Sequence, residues 1–137
     1  VIPAVDSIVT TMRSAEMERI IIAGSRNFSD KDFLFNSVDE VVKTINDEIE
    51  IVSGCCRGAD VLGEQYANAH NIPVVRFPAD WERYGRRAGY IRNKAMAEYA
   101  AGGTLIAFPV GKSIGTRMMI GLARDHGLKV VVKESSV

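Results

Sequence analysis

The sequence predicts a Rossmann-like α/β domain: a doubly wound, mostly parallel five-stranded sheet with helices on both faces. Two observations carry that expectation. Five short apolar runs alternate with four longer stretches of helical periodicity, which is the mark of βαβ units joined by right-handed crossovers. The first run, Ile20-Ile21-Ile22-Ala23, is continuously apolar, as a strand covered on both faces is.

The elements come in order along the chain. The first strand ends at Gly24. Ser29 stands at a helix N-cap position, and Leu34, Val38, Val41, Val42 and Ile45 then fall at helical spacing. Ile49 to Ser53 is the second strand, stopped by Gly54. Asp60 to His70 is a helix with Leu62, Tyr66 and Ala69 on one side. Pro73 to Phe77 is the third strand. A helix from about Ala88 to Ala101 leads to the fourth strand, Thr104 to Phe108. A last helix, about Thr116 to His126, is stopped by Gly127 and leads into the fifth strand, Lys129 to Val132.

The 137 residues fit one domain, with 47% hydrophobic and 25% charged residues, enough apolar material for a core without a disulfide or metal staple. Residues 1–16 have no clear period and read as an N-terminal extension, disordered or packed on a neighbour; residues 17–137 form the domain. The formal net charge is zero, which argues against a protein that works by coating DNA. The only cysteines are adjacent, Cys55 and Cys56. They make neither an ordinary cross-link nor a zinc site, so no metal or cofactor is expected and a reducing, cytoplasmic setting is the simplest reading. No apolar run approaches the roughly 20 residues that cross a bilayer, and the first residues do not read as a signal peptide.

In such sheets ligands sit outside the carboxyl ends of the strands, so the residues after each strand matter most. After the first come Gly24, Ser25 and Arg26: close backbone approach, a hydroxyl and a guanidinium fork suited to phosphate. After the second, Gly54 and Gly58 bracket Cys55, Cys56 and Arg57 in a loop that opens a helix at Asp60. This is an anion site through free N–H groups and the helix dipole, or simply a strand-to-helix turn. It is neither a Walker loop nor a strict Gly-x-Gly-x-x-Gly. After the third comes an unusually long connection, Pro78 to Gly89. From Arg76 to Lys94 six basic residues face two acidic ones, a local charge of +4 in a neutral protein. The only tryptophan, Trp81, lies here, read as a core plug with base stacking as the alternative. After the fourth strand, Gly111, Lys112, Ser113, Gly115 and Thr116 again open a helix and offer donors to phosphate oxygens.

Taken in order, Ile22-Ala23-Gly24-Ser25-Arg26, Ser53-Gly54 with Arg57-Gly58-Ala59-Asp60, Pro78-Ala79-Asp80-Trp81, Ala88-Gly89 with Ile91-Arg92-Asn93 and Met96, and Lys112-Ser113 with Gly115-Thr116 resemble the YspA-type family of the SLOG (Smf/DprA–LOG) superfamily. The resemblance spans about Glu18 to Val132. It implies a bacterial or phage protein that binds, senses or processes a nucleotide or nucleotide-derived molecule. It also implies a homodimer or higher homo-oligomer.

The LOG phosphoribohydrolases cleave the N-glycosidic bond of nucleoside monophosphates. Arg92-Asn93-Lys94-Ala95-Met96 is similar to their Arg-Lys-x-x-Met helix, which places Arg92 at the catalytic arginine. Gly111 to Thr116 is similar to their phosphate loop, but Arg117, Met118 and Met119 follow Thr116, so the glutamate is missing. A methionine neither stabilises an oxocarbenium-like centre nor activates water. Binding is therefore expected over hydrolysis. Were the chain an enzyme, Arg92 and Asp80 would be its catalytic residues, because Asp60 has the ready structural role of a helix N-cap and Asp80 has none. Cys55 or Cys56 is a less favoured nucleophile. His70 and His126 fall at helix C-termini, where the dipole suits them. Single-strand DNA binding of the DprA kind is a third reading, on the basic loop and Trp81. The apolar face Met118, Met119 and Leu122 is assigned to the core, with a dimer interface as the alternative.

Overall fold

A computed structural model describes residues 17–135. The expectations for residues 1–16 lie outside the described residues. The strands are β1 (Glu18–Gly24), β2 (Ile49–Ser53), β3 (Val74–Arg76), β4 (Thr104–Phe108) and β5 (Lys129–Val132). They form one sheet in the order β3-β2-β1-β4-β5, with every neighbouring pair parallel. The helices are α1 (Lys31–Val42), α2 (Ala59–Ala69), the short α3 (Trp81–Tyr84) with a following 3-10 turn (Gly85–Arg87), α4 (Ala88–Tyr99) and α5 (Ile114–Asp125).

Successive side chains of a strand point to opposite faces, and this divides the core into two layers. Ile20, Ile22, Ile51, Ile106 and Phe108 pack on Leu34 and Val38 of α1 and on Ala59, Tyr66 and Ala67 of α2. Ile21, Ala23, Val52, Leu105 and Ala107 point the other way, onto Met96 and Ala97 of α4 and Met119, Leu122 and Ala123 of α5. Ile20, Ile21 and Ile22 are all fully buried, each worth about 1.5–3 kcal/mol of transfer free energy. Met119 and Leu122 are core residues of this chain, and Met118 packs partly buried against that cluster.

Two local expectations change. The cap of α1 is Asp30, whose side chain accepts from the Phe33 N–H at 3.1 Å, rather than Ser29. Both residue types cap well, and the chain's angle of entry selects between them. The long connection after β3 is not an open loop, since α3 and its 3-10 turn fill most of it. Among the described residues no helix is long and apolar enough to cross a membrane.

From β1 the chain builds outward through β2 to β3, then crosses to β4 on the other side of β1. The carboxyl ends of β1 and β4 are therefore the switch point, where the connections leave in opposite directions and open a crevice.

Candidate functional site

A cleft of about 330 Å³ opens at that switch point. Its walls come from the end of β1 (Ala23, Gly24, Ser25, Arg26), the β2–α2 turn (Cys56, Asp60), one face of α4 (Arg92, Asn93, Met96) and the start of α5 (Ser113, Gly115, Thr116, Met119). The volume lies at the lower end of the range for small-molecule sites.

The β1 wall is fixed by main-chain bonds. The Ser25 N–H donates to the Phe108 carbonyl at 3.0 Å, and its hydroxyl accepts from the Asn27 N–H at 3.1 Å. The β2–α2 turn is drawn against it. Gly58 has φ +83°, and a Cβ there would collide with the Ser25 carbonyl. Only glycine allows both the left-handed backbone and the close approach. Gly58 supplies no side-chain cap to α2, and the first N–H of that helix, on Ala59, donates to the Ser25 carbonyl at 3.4 Å, which ties the turn to the β1 wall.

Asp60 lies in the first turn of α2, one residue past the helix start, and is 5% exposed. Its Oδ2 accepts from the Cys56 N–H at 3.2 Å. Burial pushes its carboxyl from 3.8 up to about 6, against the opposing pull of the Cys56 N–H and the Arg92 charge. Arg92 is held by three partners. Its Nε donates to Asn93 Oδ1 at 2.8 Å, Nη1 to the Gly54 carbonyl and Nη2 to Cys56 Sγ at 3.6 Å. The guanidinium is thereby oriented before any ligand arrives. The cleft lining carries two guanidinium groups, Arg26 and Arg92, and one carboxyl, Asp60.

On the far wall Ser113 caps α5 in the left-handed region (φ 38°, ψ 63°) without a side-chain hydrogen bond to the helix. Its hydroxyl donates to Thr116 Oγ1 at 2.6 Å. A non-glycine residue in that region is strained, and such strain gathers where a loop shapes a site. No atom of another element lies within 4 Å of where a Cβ of Gly115 would point.

Of the residues expected from sequence, Gly24, Ser25, Arg26, Asp60, Arg92, Asn93, Ser113, Gly115 and Thr116 share this cleft. Gly54 stands behind it as the acceptor for Arg92. Gly58 shapes the turn. Arg57, Gly111 and Lys112 are on neighbouring loops outside the lining.

Of the two aspartates expected at the ligand, only Asp60 lines the cleft. Asp80 is exposed and caps α3, accepting from the Arg83 N–H at 3.1 Å. Asp60 is not the cap of α2, which is Gly58, and it is the carboxylate in the cleft. Trp81 is 50% exposed rather than a core plug. His70 and His126 are C-caps of α2 and α5 and lie outside the lining. Sequence reasoning did not assign Ala23, Cys56, Met96 or Met119 to the ligand wall. Met119 carried a signal, because it falls three residues after Thr116, within the run where the glutamate is missing.

A family model described as YspA, cpYpsA-related SLOG family matches residues 18–84. The Gene 61 protein of Mycobacterium phage D29 is 31% identical over 120 residues, covering 84% of this chain and 95% of that protein. No solved structure matches the chain.

Proposed function

The chain belongs to the YspA, cpYpsA-related SLOG family, and from that premise we propose that it binds a nucleotide or nucleotide-derived molecule in the switch-point cleft, as a sensor or a sequestering protein. The observation that carries this is convergence. Ser25 and Arg26 after β1, the β2–α2 turn, Arg92 on α4, and Ser113 to Thr116 after β4 line one cleft. Hydroxyls, guanidinium groups and helix N-termini are the donors a phosphate takes. No step of this reading requires a cofactor or a metal. Mass spectrometry of small molecules released from denatured protein, beside a thermal-shift screen of nucleotides, tests it. Either an intact co-purified nucleotide or a stability rise of about 2.7 kcal/mol at ~100-fold excess over Kd supports binding. No released ligand and no shift from any nucleotide would sink it.

A second reading, hydrolysis of an N-glycosidic bond in a nucleotide derivative, is favoured by one observation. Asp60 is a buried carboxyl with a pKa of about 6 beside Arg92, near the range in which a group exchanges protons at neutral pH. Water would add at the anomeric carbon while the base leaves with a proton. Release of free base from incubated nucleotides separates the two readings. DprA-like binding of single-stranded DNA is the third and least supported, and a steep salt dependence of DNA binding would mark it. Self-association is proposed from family resemblance alone. Light scattering that gave a 15.0 kDa monomer at working concentration would count against it.

A further inference from the structure

We propose that Trp81 is the base-stacking platform of the cleft, so that the ligand is an aromatic nucleotide bound with its base against this ring rather than a bare sugar phosphate. This rests on the nucleotide reading above and adds where the base goes. Tryptophan is rarely fully buried but highly buried on average, and its ring offers a large π-face to a ligand. Trp81 begins α3 and is half exposed.

The contacts of the ring explain its position. A Cβ at Gly89 would stand 3.5 Å from Trp81 Cη2, and nothing else lies within 4 Å of that point. The indole edge thus sits over the one residue of the first α4 turn that has no side chain to push it away. Gly89, Arg92, Asn93 and Met96 are spaced by three, four and seven residues, one face of a helix. The last three of them line the cleft. The face that carries the indole therefore continues directly into the cleft wall. Gly89 and Arg92 are about 4.5 Å apart along the helix axis, within the span between the phosphate and base of one nucleotide.

The surroundings suit the same ligand. Arg83, Arg86 and Arg87 follow Trp81 closely in the chain and are exposed; the Arg83 guanidinium lies over the Tyr84 ring, and no ion pair among the described residues engages Arg86 or Arg87. An exposed ring packed one helical turn from Arg92, on a segment rich in exposed arginines, takes a flat, electron-rich base carried on an anion. Base stacking on an aromatic side chain is tolerant of base identity, so this subsite selects for the presence of a base more than for which base it is.

Trp81 is the only tryptophan, so its fluorescence reports on this subsite alone. Titrate the wild-type chain, W81A and W81F with adenosine 5′-monophosphate and, separately, with ribose 5-phosphate, by calorimetry and by tryptophan emission. The expected result is that the nucleotide quenches the emission and ribose 5-phosphate binds without quenching. W81A should lose about tenfold or more in affinity for the nucleotide with no change for ribose 5-phosphate, and W81F should recover most of the loss. Equal binding of both probes to W81A and wild type, without quenching, overturns the assignment while leaving the cleft as a phosphate site. Calorimetric silence of the wild type with both probes overturns the nucleotide reading and the base subsite together.

Discussion

Gly54 has no room for a side chain because of Asp60 and Arg92. Its carbonyl accepts from Nη1 of that arginine, and a Cβ on Gly54 would stand 3.0 Å from the same nitrogen and 2.9 Å from Asp60 Oδ2. The cleft's central cation and its carboxyl are both seated against a bare backbone. G54A is therefore expected to displace the guanidinium and weaken nucleotide binding about tenfold, with a loss of stability of about 1–3 kcal/mol from overpacking. G121A is the control. It lies within helix α5 with open space around its Cβ position, so it is expected to stabilise by about 0.5–1 kcal/mol and leave binding alone. Calorimetry and urea melts of both variants check the contrast, and unaltered binding by G54A would contradict it.

Asp60 makes stability depend on pH. Its folded pKa of about 6 exceeds the ordinary 3.8, so the folded state holds the proton more tightly than the unfolded chain. The contribution is fully present below pH 3.8 and is lost as pH rises through 6. The whole displacement corresponds to roughly 3 kcal/mol. D60N cannot ionise and lacks this dependence. Urea denaturation of both proteins at pH 4 and pH 7.5 should show wild type losing ground to D60N by that order as pH rises. Parallel curves would place the carboxyl in a better-solvated setting than its burial implies.

Ser113 holds a left-handed backbone that glycine adopts freely. S113G should therefore relieve strain, offset in part by a more flexible unfolded chain, for a net gain of up to about 1 kcal/mol. The same change removes a hydroxyl from the cleft wall and should weaken nucleotide binding several-fold. A variant that melts higher and binds less is the expected outcome of a thermal melt paired with calorimetry.

Cys56 lines the cleft and Cys55 does not. The Cys55 thiol turns instead to the Ser53 carbonyl at 3.8 Å. A bound nucleotide should slow alkylation of Cys56 by iodoacetamide and leave the rate at Cys55 unchanged, read by peptide mass spectrometry. Equal protection of both thiols would point to a general tightening of the fold rather than occupancy of the cleft.

The frame of this protein is written locally and its site is not. β2, β4 and β5 span the residues the sequence marks out, because each is an apolar run next to glycine or a turn. Ser25, Arg26, Arg92 and Thr116 were legible as cleft residues because each sits beside the carboxyl end of a strand or in a matching motif, and the alternation fixes which edge that is. Asp60 was legible as a cleft residue but not as one distinct from the helix cap, and the place of Asp80 was not legible. Whether a carboxylate caps a helix or is buried beneath one depends on where the helix starts. Gly58 begins α2 earlier than expected, and Asp80 caps a short helix whose four residues have too little pattern to announce it. Trp81 is half exposed rather than a core residue, and its indole edge packs at Gly89, a contact eight positions away in sequence that no local pattern announces.

The strand alternation that splits the core has a thermodynamic consequence. The turn bearing Asp60 belongs to a helix packed on one layer, while Arg92 and Thr116 are carried by helices packed on the other. A ligand gripped from both sides works as a rivet through the sheet. Its binding energy then opposes separation of either layer, so occupancy should slow amide hydrogen exchange in α2 and α5 together, far beyond the residues it touches.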